Sequence, residues 1–377
     1  MKKILYIYVR GGAPLEYVFP RLAACGELHV LAFAPMPKAA EGTWRPCCAT
    51  ITMIGGTPHG EETVARIVTH AKAIGADAVL TLSEFAVVAV AQAALRLGLA
   101  GAGEGIWAAR DKRVMREAWA AAGVPIPQFR RVASASDLRR ACQELTPPLL
   151  LKPAWGAGSV AQLVLTHAQE ATAAWGEIEA ALKEGSKAGM NDLYVPDTDA
   201  DRLVEEIVSG STESWFGDDR YADYISVEGI VANGSYHPLA VTAKLPTVGG
   251  FTEVASTTPC ELPLELQQRI VDVSRRAVDA LGLDTCGTHT ELKLMKDGQI
   301  AVIETAARFG GLMTLRRIET VFGLDAITMF TRQLLYEAVD YPTTVPFRGT
   351  GAAASLAVVP ADASGVAWRT HPIWNPD

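Results

Sequence analysis

The chain has 377 residues, of which 49% are hydrophobic and 20% charged, with a net charge of −8 and a pI of about 5.5. That length accommodates two or three domains with substantial cores. The acidic balance argues against a general nucleic-acid or anionic-membrane binder, because phosphate-rich partners demand basic surfaces; a local basic pocket for a nucleotide stays compatible with it. The six cysteines (Cys25, Cys47, Cys48, Cys142, Cys260, Cys286) form no C-x-x-C pair and read as reduced thiols of a cytoplasmic protein. No uncharged apolar run of about 18 residues occurs, so no membrane span is expected. The apolar run at residues 4–9 is too short for a signal peptide and leads into Arg10-Gly11-Gly12, which favours a buried first strand.

In chain order, the first hundred residues alternate strands and helices. Residues 4–9, 28–33 and 78–82 are short apolar or β-branched runs of the kind buried in parallel sheets. Residues 61–74 place Val64, Ile67, Val68 and Ala71 at helical spacing and stop at Gly75, and residues 86–97 form a second helix ending at Gly98. The alternation predicts an open, doubly wound sheet. Gly11-Gly12 follows the first strand, where such sheets carry ligand loops; a purely structural turn is the favoured reading.

A helix is predicted over residues 108–122, followed by an extended linker, Val124-Pro125-Ile126-Pro127. A smaller α/β unit then spans about residues 132–203. It holds a helix after Ser136, a strand at 149–152, a glycine loop, a strand at 160–165 and a helix from about 168 to 184. Residues 183–200 are polar and predict a mobile loop. Strands resume at 203–208, 224–231 and 236–243, residues 263–281 form a helix, and 353–359 read as a late apolar strand before Pro360 and a polar tail. There is no internal repeat.

The most informative segment is GTHTELKLMKDGQIAVIETAARFGG, residues 287–311. Asp297-Gly298 signals a two-residue hairpin, since both central positions of a type I′ turn need positive φ. Pairing Lys296 with Gln299 brings Glu291 directly opposite Glu304, with Cβ atoms about 4.5–5.5 Å apart on one face. Facing carboxylates repel unless something positive lies between them, and Mg²⁺ is commonly held by one or two carboxylates plus substrate phosphates. Two independent glutamates on a solvated face are the alternative. Arg308, four residues beyond Glu304 and on the same face, suits a phosphate or an oxyanion. Gly310-Gly311 then allows close backbone approach. His289 is a neighbour of Glu291 or a further ligand, the former being favoured.

A second segment, LLLKPAWGAGSV at residues 149–160, ends a buried strand in Lys152 and runs through a loop containing Gly156, Gly158 and Ser159. Glycines bring backbone N–H groups close to phosphate oxygens and the lysine supplies charge. The spacing is neither a Walker A nor a Rossmann fingerprint, and a structural loop remains the alternative.

Taken together, these segments resemble the ATP-grasp superfamily over about residues 75–345. The resemblance implies an α/β ATP-grasp fold: an N-terminal doubly wound parallel-sheet domain (1–107), a first ATP-grasp half (108–205) with a small α/β lid at about 132–203, and a C-terminal α+β catalytic domain (206–377). Asp111-Lys112, with Arg113 and Arg116, looks like the helix before the lid, whose lysine meets the nucleotide phosphates. Lys152, Gly156, Gly158 and Ser159 look like the lid's phosphate lysine and glycine loop. Residues 204–210 resemble the strand along adenine, which puts Glu205, Glu206 and Val208 beside the base and Asp223, after an inserted stretch, at the ribose. Lys244 resembles a further phosphate or substrate lysine, Glu291 and Glu304 the Mg²⁺ carboxylates, and Arg308 the arginine that steadies the tetrahedral intermediate. Many members carry Glu-x-Asn at the second metal glutamate, whereas this chain has Glu304-Thr305-Ala306, which removes one oxygen ligand.

The Glu304-to-Gly311 stretch, with Leu-Ser-Glu-Phe at residues 82–85, resembles in particular the dipeptide-forming L-amino acid ligases of the bacilysin-synthesis type. The resemblance implies an ATP-dependent carboxylate–amine ligase working through an acyl-phosphate, with ATP and Mg²⁺ (or Mn²⁺) as cofactors. It implies amino-acid substrates, no nucleic-acid or membrane partner, and a subunit compatible with a homodimer. Lys112 and Lys152 would neutralise phosphate charge, Arg308 and Lys244 would serve catalysis, and residues 246–259 would form a loop over the substrates. Two alternatives stand beside it: another ATP-grasp ligase with a non-amino-acid carboxylate or amine, and a nucleotide-binding protein without catalysis.

Overall fold

The computed structural model describes residues 1–156, 161–187, 202–218, 220–247, 253–311 and 313–356. Its N-terminal part comprises β1 (Lys3–Tyr8), α1 (Leu15–Cys25), β2 (Glu27–Ala32), α2 (Glu41–Trp44), β3 (Cys48–Met53), α3 (Glu61–Ile74), β4 (Ala78–Leu80) and α4 (Val87–Leu97). The four strands form a parallel sheet in the order β3-β2-β1-β4. Alternate residues of β1 serve two cores. Ile4, Tyr6 and Tyr8 pack with Val18, Phe19 and Leu22 of α1, while Leu5, Ile7 and Val9 meet Val64 and Ile67 of α3 and Val90 of α4. Coverage of both faces is why the strand is apolar without alternation, and the doubly wound sheet is as expected. The sequence reading passes over β3, a partly exposed edge strand, and α1, whose pattern is interrupted by Pro20.

The single helix expected over residues 108–122 is two helices, α5 (Ile106–Arg110) and α6 (Lys112–Ala121). Asp111 between them leaves helical geometry (φ −92°, ψ 110°). Its carboxylate accepts the Arg113 N–H at 2.9 Å, the N-cap arrangement that aspartate favours over a helix interior. Next come β5 (Phe129–Val132), α7 (Ala135–Glu144), β6 (Leu149–Pro153), β7 (Leu163–Leu165), α8 (Ala171–Lys187) and β8 (Arg202–Glu206). These strands form an antiparallel sheet in the order β5-β8-β6-β7. Leu138 and Ala141 of α7 and Ile178 of α8 bury one face of it against Leu149, Leu151 and Val204. Two boundaries differ from expectation. Helix α7 begins before Ser136 because Ser134 caps it, accepting the Asp137 N–H at 3.1 Å. Helix α8 continues through Lys187, into the stretch read as a loop; residues 188–201 lie outside the described residues, as do 157–160.

The C-terminal part adds β9 (Tyr224–Ala232), β10 (Ser235–Lys244), β11 (Ala255–Thr258), α9 (Leu264–Asp279), β12 (Cys286–Leu294), β13 (Ile300–Ala306), α10 (Thr314–Phe322), α11 (Ala326–Leu334) and β14 (Ala353–Leu356). Its sheet is antiparallel, in the order β13-β12-β9-β10-β11-β14. Part of the loop expected over residues 246–259 is therefore strand β11, held between β10 and β14. One face of this sheet is apolar: Ile225, Val227, Leu292 and Val302 share a core with Trp119 of α6 and Ile270 of α9. The opposite face changes character along β9. Ile230 and Ala232 pack with the N-terminal sheet's core, whereas Ser226 and Glu228 are polar and fully buried. The candidate site is a cleft lined by residues of this sheet, among them Tyr224, Glu291 and Glu304, and of the lid sheet, among them Lys152 and Glu205.

Candidate active site

The hairpin of β12 and β13 builds the floor of a cleft of about 880 Å³. Asp297 (φ 58°) and Gly298 (φ 70°) make the turn with positive φ at both central positions. Glu291 pairs with Glu304 as expected, by a less direct route. Next to the turn Leu294 pairs with Ile300, one residue off the register the turn alone dictates, and an irregularity between Glu291 and Leu292 restores it. Each carboxylate carries its own cation: Lys112 Nζ lies 3.1 Å from Glu304, and His289 Nε2 lies 3.2 Å from Glu291.

Lys112 reaches Glu304 because Asp111 ends α5 and restarts the helix at that residue. The Lys112 backbone N–H donates to Ala154 O at 3.0 Å and its ammonium to Gly156 O at 3.1 Å. Asp111 also accepts the indole N–H of Trp155 at 3.2 Å. The helix start and the glycine loop are thus tied together at one edge of the cleft. From the lid, Lys152 is buried and ion-paired with Glu205, which also accepts Arg116 Nε at 3.0 Å. Burial, with Arg116 and Lys112 nearby, pushes the Lys152 ammonium down to about 8, against the pull of Glu205. Burial alone would raise the Glu205 carboxyl, but the Arg116 and Lys152 charges hold it below its ordinary value.

The remaining residues singled out from sequence are distributed as follows. Glu205, Glu206 and Val208 line the cleft on the lid side. The Glu206 carboxylate accepts the Thr146 N–H at 2.8 Å, and the backbone N–H groups of Glu206 and Ile207 are taken by Gln128 O and Pro148 O. Asp223 lines the cleft with Lys293, whose ammonium lies 2.6 Å from it. Gly156 lines it too; Gly158 and Ser159 lie outside the described residues. Lys244 does not line the cleft. It is buried and ion-paired with Glu253, which does line it. Arg308 lines the cleft and donates through Nε to Glu84 at 2.8 Å; Glu84 also faces Arg110 at 3.6 Å. Burial alone would lower the Arg308 guanidinium, yet Glu84 and Glu304 raise it above its ordinary value.

Two carboxylates escaped the sequence reading of the site. Glu84 sits just after β4, at the carboxyl end of the parallel sheet, where open α/β sheets place ligands. Glu228 is the lone charge inside β9 and has no exposed surface. A charge in a run of buried apolar residues must have partners, and that rule was the available signal. Its partners are His289 Nδ1 at 2.5 Å and the Gly310 N–H at 2.9 Å. His289 thus donates from both ring nitrogens, to Glu228 and Glu291, which requires the imidazolium. Burial opposes that charge, but Glu228 raises the ring's pKa to about 9. Burial would likewise raise the Glu291 carboxyl, which His289 instead holds down at about 2.

The ATP-grasp domain model matches residues 145–316. The chain is 40% identical over 266 residues to the alanine–anticapsin ligase of Bacillus subtilis (strain 168), covering 70% of this chain and 55% of that protein. It therefore spans little more than half the length of that relative. Among solved structures, the L-amino acid ligase from Bacillus licheniformis superposes with a TM-score of 0.76 at 21% identity, over 95% of this chain and 81% of that one. The biotin carboxylase domain of Hydrogenobacter thermophilus 2-oxoglutarate carboxylase, solved with MgADP and bicarbonate, superposes with a TM-score of 0.71 at 18% identity, over 94% of this chain and 73% of that one. Among the described residues no helix is long and apolar enough to cross a membrane. The chain carries an ATP-grasp domain over residues 145–316 and has the ATP-grasp fold.

Proposed function

We propose that the chain is an ATP-dependent carbon–nitrogen ligase that activates a carboxylate as an acyl-phosphate and joins it to an amine, both partners being amino acids. The observation that carries this reading is the facing pair Glu291 and Glu304 in one cleft with Lys112, Lys152 and Arg308. The 40% identity to alanine–anticapsin ligase supports amino acids as the substrate class. In the proposed reaction a carboxylate oxygen bonds to the γ-phosphorus of ATP while the β–γ bridging P–O bond breaks and ADP leaves. The amine nitrogen then bonds to the acyl carbon, the C–O bond to phosphate breaks, and the amine proton is lost to solvent.

A hard divalent cation fits the donor set. Two all-oxygen side chains face each other, and among the described residues no group of three or more His, Cys, Asp or Glu side chains completes a metal cage by itself. That is the pattern of Mg²⁺ shared between one or two carboxylates and substrate phosphates, with Mn²⁺ a substitute of similar chemistry. Glu291 and Glu304 would hold it, and when bound it neutralises phosphate charge. Ala306, where many family members carry asparagine, faces His289 across the hairpin and supplies no oxygen.

The chain's own residues do the positioning. Lys112 and Lys152 neutralise the phosphates beside Gly156, and Gly158 and Ser159, outside the described residues, are the further candidates for phosphate binding. The adenine lies along Glu205, Glu206 and Val208, with the ribose toward Asp223. Arg308, steadied by Glu84, stabilises the oxyanion of the tetrahedral intermediate, and Lys244 acts from behind Glu253. A lid over the cleft excludes water, which would hydrolyse the acyl-phosphate.

The test is phosphate release from ATP and Mg²⁺ across single amino acids and pairs, with mass spectrometry of the products. Release that needs two amino acids, with a product of their summed mass less water, is the expected result. Release with one amino acid and no condensed product would assign a different amine acceptor. No release with any of them would overturn the amino-acid reading.

A further inference from the structure

We propose that Glu228 is a positioning residue that registers the two halves of the site: through His289 it orients the Glu291 carboxylate, and through the Gly310 N–H it fixes the turn that follows Arg308. The inference rests on the metal-dependent ligase reading above and deepens it.

Three observations meet at this side chain. Glu228 lies directly opposite His289 on the neighbouring strand, so the contact is built into the register of β9 and β12. Its two oxygens divide the work, Oε1 taking His289 Nδ1 at 2.5 Å and Oε2 the Gly310 N–H at 2.9 Å. His289 passes the constraint on, since its Nε2 lies 3.2 Å from Glu291. Gly310 reports the same closeness from the other side. A Cβ there would stand 2.8 Å from His289 Nδ1 and 3.0 Å from Glu228 Oε1, so only glycine lets the backbone approach the pair.

Glu228 has no exposed surface and is absent from the cleft lining, so it touches neither nucleotide nor substrate and acts through its partners. A fully buried position between Val227 and Gly229 would be filled more cheaply by an apolar side chain than by a buried charge. The charge is explained by what it holds. Partners that orient metal ligands typically cost about 10–100-fold in metal affinity when removed. A glutamine at this position has the same size but only one acceptor oxygen, so once that oxygen takes the Gly310 N–H it can meet His289 only as a donor to a neutral ring, and the charged contact that orients the imidazole toward Glu291 is lost.

The experiment is calorimetric binding of ADP to the full chain with and without Mg²⁺, for wild type and Glu228→Gln, alongside thermal melting and phosphate release. In Glu228→Gln the Mg²⁺ concentration for half-maximal enhancement of ADP binding should rise about 10–100-fold, while Mg²⁺-free ADP affinity stays within about twofold. Phosphate release should fall in kcat. A lowered Tm with an unchanged Mg²⁺ requirement would make Glu228 a structural residue and overturn the inference while leaving the ligase reading standing. Wild-type protein that binds ADP no better with Mg²⁺ would overturn the metal reading and this inference with it. Should Glu228→Gln fail to fold, His289→Gln, which keeps the bond from Gly310 to Glu228, is measured instead. The same shift in Mg²⁺ requirement is expected, and an unshifted requirement overturns the proposal.

Discussion

Glu291 faces Glu304 directly across β12 and β13, and the cations that offset their repulsion come from two different places, His289 two residues away on the same strand and Lys112 from the start of α6. Each carboxylate of the facing pair thus has a counter-charge of its own. Replacing either by glutamine removes one of the pair's four carboxylate oxygens together with its negative charge. Glu291→Gln and Glu304→Gln are each expected to lower ATP-dependent phosphate release at least about 100-fold. Their melting temperatures should stay near that of wild type, because one member of a like-charged pair is lost. Turnover close to wild type in either variant would remove the metal assignment.

Arg308 is fixed by Glu84 rather than left to move in the cleft. A planar guanidinium held this way presents a fork that a lysine lacks. Arg308→Lys is therefore expected to lower kcat about 100-fold, the scale of losing one oxyanion donor, with little change in the KM for ATP. Steady-state kinetics at saturating amino acids decide it. A raised KM with kcat intact would make Arg308 a binding residue.

Lys152 carries a pH dependence of defined sign. Its ammonium sits at about 8 in the folded protein, below the ordinary lysine value of 10.5. Between those values the unfolded chain binds the proton more tightly, so Lys152 costs stability below about 8, and that cost is relieved as pH rises toward 10.5. Phosphate affinity moves the other way, because the charge is lost. ADP binding should weaken from about pH 7 to about pH 9 in wild type, and much less in Lys152→Arg, whose guanidinium stays protonated. Calorimetric titrations across that range check it; equal weakening in both proteins would exclude Lys152 as the cause.

Asp111 joins stability to the site. Its carboxylate caps α6, pairs with Arg113 and accepts the Trp155 indole. Asp111→Ala should cost about 1–2 kcal/mol through the lost cap, and it should also weaken ADP binding, since the start of α6 at Lys112 and the loop at Trp155 then lose their common anchor. Chemical denaturation and ADP titration together test this. A stability loss with ADP affinity untouched would confine Asp111 to the helix start.

Much of the fold was legible where local rules suffice. Apolar runs marked β1, β2 and β4 because a doubly covered parallel strand needs no polar face. Asp297-Gly298 located the hairpin because few residues accept positive φ in succession, and the Glu291–Glu304 pair followed. Even there the register reading succeeded through two compensating irregularities that no pattern announced. The break at Asp111 was missed because the surrounding apolar periodicity runs through it, while the decisive contact, a carboxylate to the Arg113 N–H, concerns the backbone.

The sequence by itself determined which residue types the site contains, the turn that brings the two glutamates together and the lysine that ends a lid strand. The tertiary structure decided their partners: Glu205 for Lys152, Lys112 for Glu304, Glu84 for Arg308 and Glu228 for His289. Each of these pairs joins residues more than fifty positions apart, Lys152–Glu205 and Glu228–His289 across neighbouring strands of one sheet and Lys112–Glu304 and Glu84–Arg308 between elements of different parts of the fold. Turn chemistry and strand periodicity act over a few residues. Which strand lies beside which, and which charges are then buried together, is set by the packing of whole sheets, and that packing assigns each charge its counter-charge.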